Sequence, residues 1–188
     1  MPRLIFSTIA SLDGYTADTE GGFGWSAPDA EVHSFVNDRL RPMSTFLYGR
    51  RMYETMRVWQ DLPGTDDDPV IADFAQVWQG AEKVVYSSTL THPATPRTRI
   101  VPRFDAGEVR ALVDASSGDV SIGGPTLAAE AFRAGLVDEV ELYLVPVSVG
   151  GGTPALPLDT RLHLELLEEH RFSAGTVWLR YRVTAAEA

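Results

Sequence analysis

Apolar positions in this chain recur with two periods, and the switches between them mark out the elements. From Arg3 to Ala10 the run "RLIFSTIA" is rich in β-prone residues and closes on the turn signal Asp13-Gly14, which predicts a buried strand. The following stretch, "TADTEGGFGWSAP", is small, polar and glycine-rich, and predicts a loop of lid length that Phe23 and Trp25 would have to pin. Helical spacing begins after Ser26-Ala27-Pro28: Val32, Phe35, Val36 and Leu40 share a stripe, Asp29 and Glu31 occupy the first turn, and Pro42 ends the element. "STFLYG" predicts a strand running into Gly49, and "RRMYETMRVW" a helix with Met52, Met56 and Trp59 on one stripe.

The same strand-to-helix rhythm continues. After the acidic turn "PGTDDDP", read as solvated, come a helix over "VIADFAQVW", a strand over Lys83 to Ser88 and a loop marked by Pro93 and Pro96. "TRIVP" predicts a short strand, "DAGEVRALVDAS" a helix with Val109, Leu112 and Val113 inward, and "DVSI" a strand entering Gly123-Gly124. A helix through Phe132 stops at Gly135, and "VDEVELYLVPVSVG" predicts a long strand with Val140, Leu142 and Leu144 alternating. "VGGGTP" is read as a flexible turn, because no helix follows to make it a dinucleotide fingerprint.

The residues from Leu162 onward break the rhythm. "LHLELLEEHRFSAGTVWLRYRV" alternates on both sides of Ser173-Ala174-Gly175, which predicts an antiparallel hairpin. The expected architecture is therefore an α/β three-layer sandwich, a mainly parallel mixed sheet carrying a C-terminal antiparallel hairpin. With 188 residues, no linker and no internal repeat, one domain over 1–188 is expected, with about 184–188 a loose tail.

Composition narrows the function. A net charge of −10 leaves no basic field for nucleic acid or an anionic membrane, so neither is an expected partner. The absence of cysteine excludes disulfides, thiolate nucleophiles and Cys-ligated metals. No apolar run approaches the ~20 residues of a bilayer span and no signal-peptide pattern opens the chain, so a soluble, cytoplasmic protein is expected. His33, His92, His163 and His170 lack metal-ligand spacing, which predicts no metal site, and the serines lack the G-x-S-x-G elbow of a hydrolase.

What remains are glycine corners. Gly49 before "RRMYE" and Gly123-Gly124 before "PTLAAEAF" each join a strand to a helix, where unpaired N–H groups and the helix dipole favour an anion. Arg50 and Arg51 add positive charge to an otherwise acidic chain. Glycine at such a corner serves equally well for close packing, and both readings stand at this level.

The succession "SLDGYTA", "LYGRRMYETM", "VVYSS", "IGGPTLAAEAF" and "GLVDEVELYLVPVSVGGG" resembles the dihydrofolate reductase-like superfamily, in the branch related to the reductase domain of riboflavin biosynthesis. The resemblance covers nearly the whole chain and implies NADPH as hydride donor and a homodimer. It would set Arg50, Arg51 and Met52 along the phosphates, Ser87 and Ser88 near the adenosine 2′-phosphate, and Gly123, Gly124, Pro125 and Thr126 around the pyrophosphate. It also matches Ile9, Thr16 and Ala17 to the nicotinamide pocket.

Asp29 and Glu31 are the candidate proton donors for reduction of a C=N bond; alternatively, both serve only the helix N-terminus. Trp59 and Trp78 fall on helical stripes and read as core, whereas Trp25, in the loop, could cover a planar substrate. The strand "VELYLVPVSV" could serve dimerisation or be internal. The expected activity is reduction of a C=N or C=C bond in a pterin-like or pyrimidine-like heterocycle. The alternative is a catalytically silent nucleotide- or small-molecule-binding relative of the same fold, motivated by Ile122, Val145 and Ala128 at positions where relatives carry substrate-related groups.

Overall fold

The computed structural model describes residues 1–62 and 68–185. Part of the acidic turn, including Asp66 and Asp67, and the last residues of the expected tail lie outside them. The elements in order are β1 (Leu4–Ser11), β2 (Tyr15–Ala17), α1 (Ala30–Leu40), β3 (Thr45–Gly49), α2 (Arg50–Met56), α3 (Pro69–Gly80) and β4 (Glu82–Tyr86). They continue as β5 (Thr98–Val101), α4 (Ala106–Ala115), β6 (Val120–Gly123), α5 (Pro125–Arg133), β7 (Glu139–Val145), β8 (Thr153–Pro154), β9 (His163–Arg171) and β10 (Val177–Thr184).

Eight strands form one sheet in the order β5-β4-β3-β6-β1-β7-β10-β9. Every pair from β5 to β7 is parallel, while β10 runs antiparallel to β7 and to β9. This is the expected mainly parallel mixed sheet with a C-terminal hairpin, and the alternation along β1 explains its three layers. Leu4 and Phe6 enter a core with Val109 and Val113 of α4 and Leu127, Ala131 and Phe132 of α5. Ile5 points to the opposite face, into a core with Tyr53 of α2 and Phe74 and Trp78 of α3. A third cluster, Val32 of α1 with Tyr143, Phe172 and Trp178, roofs the hairpin end of that same face.

β10 pairs through Thr184 with His163, at the start of the expected tail. Several expectations need correction. β7 lies between β1 and β10, so the Glu139–Val145 part of that run is internal to the sheet. The lid-length loop is partly built: β2 pairs with β8, and a 3₁₀ turn covers Gly24–Ser26. Helix α2 ends at Met56 and tightens into a 3₁₀ turn over Arg57–Gln60. Among the described residues no helix is long and apolar enough to cross a membrane, and no group of three or more His, Asp or Glu could hold a metal ion.

Candidate active site at the carboxyl edge of the sheet

Because β4, β3, β6 and β1 are adjacent and parallel, their carboxyl ends share one edge, with Gly49 opposite Tyr86 and Tyr48 opposite Gly123 in register. At ~4.8 Å per strand the edge from β4 to β1 spans roughly 14 Å. Ser87, Gly49–Arg50 and Gly123–Thr126 line up along it in that order, and β1 ends beside them at Ser11, from which the chain runs on to Thr16 and Ala17. Sequence spacing had scattered these residues over more than a hundred positions; sheet order brings them together.

The helix N-termini at this edge differ from the others. Asp29, Asp68 and Asp105 cap α1, α3 and α4, each carboxylate accepting from N–H groups of the first turn. Helices α2 and α5, which start from the two glycine corners, receive no side-chain cap. Their first-turn N–H groups therefore lack the protein acceptor that the other three helices have. Arg50 donates to Glu54 at 2.8 Å and to the Thr89 hydroxyl at 2.8 Å, which ties α2 to the turn after β4. Arg51 and Thr126 are exposed, and the Arg51 guanidinium has no side-chain partner among the described residues.

The glycines divide between the two readings. A Cβ on Gly123 would stand 2.9 Å from the Tyr48 ring; Gly124 has φ +88° and would meet the Met52 Cβ at 3.2 Å. Packing demands glycine at 123 and backbone conformation demands it at 124, without any ligand. Gly49 has φ −75°, and a Cβ there would make only an ordinary 3.8 Å contact with Leu127. Among the described residues nothing requires glycine at that position.

Ser87 and Ser88 also separate. The Ser87 hydroxyl is buried and accepts from the N–H groups of Thr89 and Leu90, so it shapes the turn, whereas Ser88 is exposed. Thr89, absent from the sequence reading, is the residue that reaches Arg50. Ile9 packs on the Val32–Tyr143–Trp178 cluster, and the Thr16 hydroxyl donates to the Thr153 carbonyl at 3.2 Å. Met52 lies half-buried against Gly124.

The acids of α1 are both engaged. The Asp29 carboxylate accepts from the Val32 N–H at 2.9 Å, and Glu31 accepts from the backbone N–H and hydroxyl of Ser173 in the β9–β10 turn. Trp25 is half-buried, its indole N–H donating to the Gly22 carbonyl at 3.2 Å. It pins the loop, while Phe23 stays exposed.

A polar group that sequence reading missed lies beneath α1. Glu141 is fully buried, its Oε1 accepting from Arg39 at 3.2 Å, with the Arg39 guanidinium 5.1 Å over the Trp178 ring. The alternation of "VELYL" assigned Leu142 inward and left Glu141 outward, a signal that fails because helices cover both faces of β7.

Fold and edge define a class: a dihydrofolate reductase-like α/β fold with two glycine corners, each opening a helix without a side-chain cap, at the carboxyl ends of its parallel strands. The chain belongs to the RibD C-terminal domain family, which it matches over residues 2–178. It is 27% identical over 182 residues to the uncharacterized protein YyaP of Bacillus subtilis (strain 168), with 95% of this chain and 94% of that one covered. Its fold is similar to that of a putative riboflavin biosynthesis protein from Shewanella sp. PV-4, at 20% identity and a TM-score of 0.75, covering 97% and 99% of the two chains. It is also similar in fold to dihydrofolate reductase from Enterococcus faecalis complexed with NADP(H), at 16% identity and a TM-score of 0.65, covering 97% of each chain.

Proposed function

We propose that this protein is an NADPH-dependent reductase acting on a C=N or C=C bond of a small pterin-like or pyrimidine-like heterocycle. The observation that carries the reading is the pair of helix N-termini side by side at the carboxyl edge that have no side-chain cap among the described residues, where the other three described helices are each capped by aspartate. Anionic phosphates are the ligands that such ends accept most readily. When bound, NADPH supplies the hydride.

The chain's own residues divide the remaining work. Gly49 leaves room for a ligand to approach the backbone, the N–H groups of Thr126 and Leu127 face the phosphates, and Arg50 and Arg51 balance their charge. Ser88 and Thr89 sit where a 2′-phosphate would favour NADPH over NADH. Ile9, Thr16 and Ala17 wall the nicotinamide, and Trp25 covers the substrate. Asp29 or Glu31 supplies the proton, directly or through water, once freed from its present partner.

That engagement favours one second reading. With Asp29 spent on a cap and Glu31 on Ser173, the protein would bind a nucleotide without turning anything over. Asp29→Asn keeps the cap, since asparagine caps as well as aspartate, but removes the acid. Glu31→Gln likewise keeps an acceptor for Ser173. The test is NADPH binding, followed by tryptophan quenching, and NADPH oxidation against a panel of pterins and pyrimidines. A reductase oxidises NADPH with at least one substrate and loses turnover in the double variant while keeping NADPH affinity. A binder shows affinity without oxidation, and the absence of NADPH binding overturns both.

A further inference from the structure

We propose that Asp13 and the glycine triplet Gly150–Gly152 are positioning residues for the nicotinamide end of the cofactor site, holding Thr16, Ala17 and the root of the lid in place. The inference deepens the NADPH reading and rests on it. It replaces the expectation that "VGGGTP" is a free turn.

The turn after β1 and the connection after β7 are far apart in sequence and stitched together in space. The Asp13 carboxylate accepts from the Gly150 N–H at 2.7 Å, the Val149 N–H at 3.1 Å and the Ser148 hydroxyl at 3.0 Å. Around it, the Leu12 N–H donates to the Val147 carbonyl at 2.7 Å and the Ala155 N–H to the Gly14 carbonyl at 2.9 Å. The Ser11 hydroxyl and these donors hold the Asp13 carboxyl well below the usual carboxylate range, so it stays an acceptor throughout the neutral range.

The triplet does the rest by being small. Gly150, Gly151 and Gly152 have φ of +77°, +151° and +130°, which lets the backbone fold under residues 17–19. A Cβ on Gly152 would lie 2.0 Å from the Ala17 carbonyl oxygen, and one on Gly151 would lie 3.3 Å from the Thr19 side chain. Beyond this contact Thr153 pairs with Ala17 and receives the Thr16 hydroxyl bond. Thr16 and Ala17 thus owe their position to the triplet, and the triplet owes its own to Asp13.

Gly152→Ala threatens folding, so the informative variants are Asp13→Ala and Asp13→Asn, which keeps one acceptor oxygen. Two probes separate the ends of the site: 2′,5′-ADP, which carries the adenosine half alone, and whole NADPH. Asp13→Ala is expected to weaken NADPH about tenfold and 2′,5′-ADP less than twofold, with Asp13→Asn between wild type and alanine. Chymotryptic cleavage at the exposed Phe23 of the apoprotein, which needs no cofactor, is expected to quicken at least threefold in Asp13→Ala.

Equal weakening of both probes, or an unchanged NADPH affinity, overturns the assignment. An unchanged cleavage rate shows that the lid root does not depend on Asp13 and overturns it as well. Wild-type protein that binds neither probe instead overturns the NADPH reading, and the clamp as part of a cofactor site falls with it.

Discussion

Replacing Gly124 with alanine separates a backbone demand from a packing contact at the centre of the site. At φ +88° and ψ 122° the residue lies outside the regions open to L-amino acids, so a side chain there costs roughly 1–3 kcal/mol whatever its surroundings. The added Cβ also stands 3.2 Å from the Met52 Cβ, close enough that the neighbour must give by a few tenths of an ångström. Together these suggest a loss of about 2–4 kcal/mol, within the 5–15 kcal/mol of a typical domain, so the variant folds. For a chain of this length, at roughly 2–4 °C per kcal/mol, Tm falls by about 5–15 °C.

The assay is urea and thermal unfolding without cofactor, with two companions. Gly135→Ala, at φ +63° with nothing within 4 Å, should cost only about 1–2 kcal/mol. Gly49→Ala, at an ordinary φ, should stay within about 0.5 kcal/mol yet weaken NADPH several-fold, because its cost falls on the ligand. Adding Met52→Ala to Gly124→Ala should recover little, since alanine keeps the Met52 Cβ and the larger strain is in the backbone. A loss below about 0.5 kcal/mol for Gly124→Ala, or full rescue by Met52→Ala, would refute the reasoning.

Two further outcomes concern buried charge. Arg39→Ala strands the fully buried Glu141 carboxylate and is expected to cost about 3–5 kcal/mol, whereas the double variant Arg39→Met/Glu141→Leu should cost far less; additive losses in denaturant melts would count against a buried pair. Burial lowers the Lys83 ammonium to about 8 although it donates to the Trp78 and Ala81 carbonyls at 3.0 and 2.8 Å. The unfolded chain then binds more protons than the folded one between about pH 8 and 10.5, so stability rises with pH through that window. Relative to Lys83→Met, wild type should gain up to about 2 kcal/mol from pH 8 to 9.5, and a flat difference would mean that the ammonium stays charged in the fold.

The resemblance and the hydrophobic periods were enough to reach the family, the order of elements and the hairpin ending. Each of these depends on local pattern: strands entering glycine, apolar stripes at helical spacing, and a turn between two alternating runs. Gly123 and Gly124 were legible as a corner for the same reason. Asp29 was legible as a helix start, but the sequence left open whether it was cap or acid, because a capping carboxylate and a catalytic one occupy the same place at the head of a helix.

Tertiary structure decided what depends on partners distant in the chain. Only sheet order sets Ser87, Gly49 and Gly123 along one edge, and only the contrast with the three aspartate-capped helices shows that α2 and α5 lack side-chain caps. Glu141 looked solvent-facing because alternation cannot tell a strand with one covered face from a strand with two. "VGGGTP" looked loose because the groups that fix it, the Ala17 carbonyl packed against Gly152 and the Asp13 carboxylate that accepts from the Gly150 N–H, lie more than a hundred residues away. Local sequence records the conformation a backbone can adopt, and the packed chain determines which contact makes that conformation necessary.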